Sequence, residues 1–204
     1  MKAMDVALTF DTEHPDRPRC PPGVAERIRS MLEVKDVRAS FFLQGRWATA
    51  YPDLARQIAN DGHLVGNHSH SHAVLSNFSP EGLAADIRAA EQAIADSAGV
   101  DPRPWFRCPF GTTSHSPQLA PVLRDLNYDD AHWNITGHDW EIDASVDEIV
   151  RRVIDGINAH PEDAVVLLHS WPAVVPDVLA RIIDYVREHG GRFVTIAELP
   201  RSSS

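Results

Sequence analysis

Basic charge is scarce in this chain: 19 lysines and arginines stand against 29 aspartates and glutamates in 204 residues, a formal net charge of -10. No run of lysine or arginine makes a local exception, so the electrostatic footprint of a nucleic-acid binder is missing and nucleic acid is not an expected partner. Cysteine is scarcer still. The 2 cysteines, Cys20 and Cys108, are too few for a disulfide framework or a thiolate metal site; both read as structural or incidental, with a single bridge left open. No segment approaches the length of a membrane span, and the opening residues MKAMDVALTF lack the long apolar stretch of a signal peptide. The expectation is a cytoplasmic protein with no membrane span, or a secreted one if a signal has been removed.

What is present is ordinary globular material. The chain is 43% hydrophobic and 24% charged, far from the profile of a disordered polymer, and its length suits one large domain over residues 1–204. Apolar runs of strand length alternate with longer segments of helical period. VALTF reads as a strand. GVAERIRSMLEV reads as a helix with Val24, Ile28, Met31 and Leu32 on one face, and ASFFLQG as a strand again. YPDLARQIAND puts Pro52 in a first turn and spaces Leu54 and Ile58 four apart, with Gly62 as a stop before the short apolar pair of HLVGNHS. The longest helix opens at Ser79 as N-cap, carries Leu83, Ile87, Ala90 and Ile94 along one side, and ends at Gly99. A strand end in PWFRCPFG, a helix over PQLAPVLRDLN, a strand near YDDAHWNIT, a helix over VDEIVRRVIDGIN, the strand AVVLLHS, a helix over VPDVLARIIDYVREHGG and a last strand RFVTIAEL complete roughly seven βα units.

Alternation this dense implies a mostly parallel sheet covered by helices, and spacing leaves a closed barrel and an open doubly wound sheet both standing. Both place their sites beyond the carboxyl ends of the strands. Polar residues gather at those ends: Asp11 and Glu13 in FDTE, His68, His70 and His72 in GNHSHSH, Arg107 in RCPFG, Asp139 and Trp140 in TGHDW, and His169 in LHSW. The best metal candidate is HSHSH, because His68 and His72 stand four apart, the spacing that lets two imidazoles share one face of a helical turn. Two histidines and one carboxylate, with a position left for water, form a common hydrolytic arrangement. Each residue has an ordinary role as well. Asp11 could cap a helix, His169 could be a buried histidine satisfied by main chain, Arg107 a surface ion-pair partner, and Trp140 a core aromatic.

Their joint order resembles the polysaccharide deacetylases of carbohydrate esterase family four, which carry the NodB homology domain. TFDTE at 9–13 is similar to the family's Thr-Phe-Asp-Asp-Gly, HSHSH at 68–72 fits His-Ser/Thr-x-x-His, and RCPFG at 107–111 resembles Arg-x-Pro-Tyr/Phe-Gly. DW at 139–140 resembles the end of the fourth motif and LLH at 167–169 the fifth, so the resemblance runs from about residue 5 to residue 198. It implies an α/β fold, a distorted (β/α) barrel of seven or eight strands, and metal-assisted hydrolysis of an N-acetyl or O-acetyl group on a sugar or oligosaccharide. By position, Asp11 becomes the base, His68 and His72 the histidine ligands, Arg107 the residue holding the base, and His169 the acid that protonates the departing amine. Phe110 and Trp140 become walls of the acetyl pocket, with a main-chain N–H near Phe110 helping to stabilise the oxyanion. Asp139 falls on the substrate side with them, and Trp171 could roof the pocket or pack in the core.

Two departures stand out. The family's metal-binding aspartate follows the base directly, but Thr12 occupies that position; Glu13 is the natural substitute, with direct coordination by Asp11 as the alternative. Thr136 falls where an aspartate commonly pairs with the acid histidine, so another group is expected to orient His169. Zinc suits two imidazoles and a carboxylate, and cobalt, nickel or manganese fit the same ligands. His14, His70, His115, His132 and His138 receive no role. Thr12 keeps open a metal-independent amide hydrolase of the allantoinase-like type, and a non-catalytic carbohydrate-binding protein is the third alternative.

Overall fold

The computed structural model describes residues 4–13, 21–111 and 117–199, so Cys20, His14 and His115 lie outside the described residues. In chain order the elements are β1 (Asp5–Thr12), α1 (Val24–Val34), β2 (Ser40–Leu43), α2 (Gly45–Ala50), α3 (Pro52–Asn60), β3 (Leu64–Asn67), α4 (Pro80–Ala98), β4 (Trp105–Phe106), α5 (Leu119–Asp125), β5 (Asp129–Asp130), β6 (Ile135–Thr136), α6 (Val146–Ala159), β7 (Ala164–His169), α7 (Val175–Glu188) and β8 (Arg192–Val194). The strand order is β5-β4-β3-β2-β1-β7-β6, with β8 pairing β1. Asn67 pairs with Phe106, Trp105 with Asp129, Ile135 with Val166 and Asp5 with Arg192, all in parallel. A parallel strand covered on both faces has no solvent side, which is why β1 is buried from Val6 onward even where it turns polar at Thr9, Asp11 and Thr12.

The chain forms two compact units, each discontinuous in sequence. One comprises Met1–Phe10, Pro15–Ser40 and Trp133–Ser204, the other Asp11–His14 and Phe41–His132. In the first, α6 and α7 bury one stripe each, Ile149, Val150, Val153 and Ile157 on α6 and Val178, Leu179, Ile182, Ile183 and Val186 on α7. A capping box between Ser145 and Glu148 starts α6 by satisfying two otherwise orphaned N–H groups. In the second, Leu83 and Ile87 of α4 join Leu75, Phe106, Cys108, Leu119, Leu123 and Tyr128 in one buried cluster. The α4 start is set as its sequence predicts: Ser79 Oγ accepts from Gly82 N–H at 3.2 Å, Pro80 takes the first turn, and Gly99 ends the helix at φ 76°.

Three sequence expectations change. The segment 128–136 holds two strands rather than one, because its backbone hydrogen bonds diverge: Ala131 N–H donates to Phe106 O and Asn134 N–H to Val165 O. The last strand stops at Val194, and Thr195 opens a 3₁₀ turn over Ile196–Glu198 with its own capping box. Helix α2, unanticipated, follows β2 directly; its Gly45 is required because a Cβ there would meet His70 Nδ1 at 2.5 Å and Ala90 Cα at 2.8 Å.

Gly66 on β3 makes a second close approach, since a Cβ would lie 2.7 Å from the ring of Phe42. That ring carries the guanidinium of Arg107, 4.0 Å from its centroid, so the space below the ring sets the height of the group above it. Gly66→Ala is expected to cost about 1–3 kcal/mol through overpacking. Urea denaturation reads it directly, and an unchanged midpoint would show that Phe42 yields freely.

Candidate active site

Strand β1 delivers Asp11 and Glu13 to one place. His68 Nε2 lies 3.5 Å from Asp11 Oδ2 and 3.9 Å from Glu13 Oε1, so both acids face one imidazole, as an i, i+2 pair on a pleated strand should. Thr12, between them, is fully buried and its hydroxyl belongs to neither contact. His72 Nε2 comes to 3.0 Å from Glu13 Oε1. One ligand atom each from Glu13, His68 and His72 falls within 4.8 Å of the other two.

Arg107 fixes this corner. It follows β4 and is fully buried, where burial pulls its pKa below the ordinary value and the Asp11 carboxylate opposes the pull. Its Nη1 donates to Asp11 Oδ1 at 2.9 Å, its Nε to Ala131 O at 2.9 Å, and its own N–H to Asn67 O at 2.9 Å. Its carbonyl accepts from His68 Nδ1 at 2.9 Å, which places the proton on Nδ1 and leaves the Nε2 lone pair towards the acids. That buried Nε2 has no hydrogen-bond partner. Burial would lower the His68 pKa, but the charges of Asp11 and Glu13 and the Arg107 carbonyl outweigh it and hold it above the usual imidazole value.

These residues fit a divalent cation. An orphaned imidazole nitrogen, a second imidazole and a carboxylate supply the borderline donors that zinc and its neighbours take. Ligand atoms on a tetrahedral zinc stand about 3.4 Å apart, and the Glu13–histidine separations of 3.0 and 3.9 Å bracket that span. Asp11 Oδ1 is engaged by Arg107, which leaves Glu13 the better-placed carboxylate ligand.

The segment carrying the histidines departs from expectation. Residues 68–72 are not helical; Ser69 and His72 sit at φ 62° and 52°, in the left-handed region that non-glycine residues seldom enter. Phe110 shares that strain at φ 59°, and its ring meets the His72 ring edge-on at 4.6 Å while remaining 56% exposed.

His169, the last residue of β7, belongs to the other unit. Both oxygens of Asp139 serve it: Oδ2 accepts from His169 N–H at 2.7 Å and Oδ1 from Nδ1 at 2.8 Å. Asp139 is thus the group that orients His169, with both carboxylate oxygens turned to it. Thr136 Oγ1 instead accepts from His138 N–H at 3.2 Å. The rings of Trp140 and Trp171 lie 5.2 and 5.7 Å from the His169 ring, and Trp140 is 38% exposed.

A family model described as Polysaccharide deacetylase matches residues 1–131, well over half of the chain. The chain belongs to the polysaccharide deacetylase family. It is 32% identical to a peptidoglycan-N-acetylglucosamine deacetylase of Bacillus cereus over 98% of this chain and 69% of that protein. It is 30% identical to a chitooligosaccharide deacetylase of Azorhizobium caulinodans over 95% of this chain and 84% of that protein. Among solved structures, a family 4 carbohydrate esterase from Streptomyces lividans in complex with acetate matches at a TM-score of 0.79 and 29% identity, covering 92% of this chain and 90% of its own. A CE4 family pseudoenzyme from Bacillus anthracis matches at a TM-score of 0.84 and 26% identity, covering 97% of this chain and 65% of its own. The fold is therefore the α/β NodB type implied by the motifs.

In this polysaccharide deacetylase, Asp11, Glu13, His68, His72, Arg107 and Phe110 lie in one unit and Asp139, Trp140, His169 and Trp171 in the other. Arg107 is no surface residue, and Phe110 and Trp140 are no core aromatics. Sequence reading passed over Asn67, whose Oδ1 accepts from Ser69 N–H at 2.9 Å, and Asp86, which holds the next two N–H groups. Asn67 adjoins the His68 motif and was open to notice; Asp86 lies inside a helix with no local signal. Among the described residues, no helix is long and apolar enough to cross a membrane.

Two outcomes follow from these contacts. Arg107→Ala strands a buried carboxylate and is expected to cost about 3–5 kcal/mol in urea denaturation; a loss below about 1 kcal/mol would mean that Asp11 is already served by water. His132 Nε2 lies 2.7 Å from Asp130 Oδ2, and the bond from Asp130 raises the imidazole's pKa. With the folded value above the unfolded one, this contact contributes fully below the ordinary imidazole range and is lost as pH rises through the raised value. NMR titration should find the His132 midpoint elevated and Asp130→Asn lowering it; equal midpoints would clear Asp130 as the cause.

Proposed function

We propose that this polysaccharide deacetylase is a divalent-metal-dependent hydrolase that removes acetyl groups from N-acetylated amino sugars or their oligosaccharides, releasing acetate and a free amine. One observation carries the reading: the Glu13–His68–His72 donor set stands beside an Asp11 carboxylate held through its other oxygen by a buried arginine. Zinc held by these three residues, or cobalt, nickel or manganese in its place, would polarise the acetyl carbonyl and make a bound water more acidic.

The chain's own groups supply the proton traffic. Asp11 Oδ1 is tied to Arg107, so Oδ2 is the atom that takes the proton from the attacking water as its oxygen bonds to the acetyl carbon. The C–N bond then breaks, and the nitrogen must gain a proton as it leaves. His169 is suited to give it, because Asp139 holds Nδ1 and leaves Nε2 as the delivering atom. The half-exposed ring of Phe110 beside His72, and in the other unit those of Trp140 and Trp171 beside His169, are apolar faces of the kind that an acetyl methyl or a pyranose packs against. The named activities of the Bacillus cereus and Azorhizobium caulinodans relatives support an acetamido sugar as substrate. The name of the Streptomyces lividans neighbour keeps an O-acetyl ester within reach of the same groups. The Bacillus anthracis pseudoenzyme supports a second, non-catalytic reading.

Acetate release from N-acetylglucosamine oligomers and from an O-acetylated xylooligosaccharide decides the matter. Chelated protein should be inactive and regain turnover when zinc or cobalt returns. Asp11→Asn should lower kcat about 10²- to 10⁴-fold. Equal acetate release by wild type and Asp11→Asn would remove Asp11 as base, and undiminished release after chelation would favour the metal-independent alternative.

A further inference from the structure

Two histidines four apart on a helix are aligned by the helix itself, but His68 and His72 have no helix between them. They are joined by Ser69, His70 and Ser71 in a turn that enters the left-handed region at Ser69 and again at His72. A non-glycine residue there costs on the order of 1 kcal/mol, so the turn persists only if its surroundings fix it. The four consecutive N–H groups show how. Ser69 N–H donates to Asn67 Oδ1 at 2.9 Å, His70 N–H to Asp86 Oδ2 at 2.8 Å, Ser71 N–H to Asp86 Oδ1 at 3.2 Å, and His72 N–H to Ser69 Oγ at 3.0 Å. Every one ends on a side-chain oxygen, and the central two end on the same carboxylate. Asn67 and Ser69 belong to the turn and its root. Two carbonyls of the turn are met from α2, where Gly45 N–H donates to Ser69 O at 2.9 Å and Arg46 N–H to His70 O at 3.3 Å. Among the acceptors of its N–H groups, only Asp86 comes from another element, α4, whose own placement is set by the Ser79 cap and by burial of Leu83 and Ile87.

We propose that Asp86 is a positioning residue for the metal centre: its carboxylate grips the His70 and Ser71 N–H groups and so holds the turn that aims His72 at Glu13. The inference rests on the metal-dependent reading above and deepens it by naming a device outside the ligand set. The carboxylate accepts two bonds in a fork, so its effect is directional as well as electrostatic. Without it, two N–H groups lose their acceptor, the strained turn relaxes, and His72 Nε2 leaves its 3.0 Å contact with Glu13 Oε1. His68 is held separately through Nδ1 by the Arg107 carbonyl, so the loss should fall on one ligand rather than on the whole set.

The test measures cation binding to the full chain by calorimetric titration with zinc and by the visible absorption of cobalt(II), whose intensity reports ligand number and geometry. Wild type should bind one ion and His72→Ala should bind far more weakly. Asp86→Ala should weaken zinc roughly 10- to 100-fold, in the range for residues that orient metal ligands, and alter the cobalt band while the melting temperature of the metal-free protein moves little. Asp86→Asn keeps one acceptor and should lose less; it also serves if Asp86→Ala fails to fold. Affinity and cobalt spectrum matching wild type in either soluble variant, with His72→Ala still impaired, would overturn the role of Asp86 and leave the metal site intact. A wild-type chain that binds no ion would overturn both.

Discussion

A guanidinium taken wholly out of water must have its charge answered, and for Arg107 three groups do most of it. Asp11 compensates its charge, Ala131 O accepts from Nε, and Phe42 lies flat against it. Its main chain ties the end of β3 through Asn67 O and fixes the tautomer of His68 through its carbonyl. One residue thus couples a carboxylate from β1, the pairing of β3 with β4, the start of the 131 segment and the proton position on the His68 imidazole. Lysine at this position would bring a single point charge in place of a flat fork, and could not lie on Phe42 while donating to Asp11 and Ala131 from separate nitrogens.

That coupling explains the acids at the end of β1. An isolated carboxylate buried there would be prohibitive, and two would repel. Asp11 is tolerable because Arg107 meets it, and Glu13 faces His68 and His72. The same two acids help hold the His68 pKa above the usual imidazole value against the pull of burial. Thr12 in place of a carboxylate then loses its force as an objection: Glu13, one residue on, faces the same imidazole as Asp11, whereas the intervening side chain makes neither contact.

The sequence made the alternation of strands and helices legible because buried parallel strands must be apolar and surface helices must carry a stripe, as in VALTF and in Leu83, Ile87, Ala90 and Ile94. The same periodicity misread 128–136, where no local signal records that Ala131 and Asn134 send their N–H groups to different partners. Within the candidate site, the polar residues at the strand ends were legible from their position and motif order. The residues that hold them were not. Asp139 was visible as a residue but its pairing with His169 was not, because it spans thirty positions and depends on which way one carboxylate turns. Asp86 was invisible, since an aspartate on a helix face ordinarily means solvent.

The HSHSH segment carries this distinction to its end. Its spacing invites a helical explanation that is chemically sufficient and structurally wrong: the pair is made by two left-handed residues and four borrowed acceptors. A helix would have presented both imidazoles from one rigid face, with the intervening residues pointing away. The turn lets His68 sit fully buried against Arg107 while His72 stays partly open, its ring against Phe110. The two imidazoles therefore differ in access, one anchored in the interior and the other bordering a half-exposed aromatic. A fold shared with a neighbour described as a pseudoenzyme shows that architecture alone does not carry activity. In this chain the finer level is strained main chain, held by side-chain acceptors so that an inner and an outer imidazole meet one carboxylate.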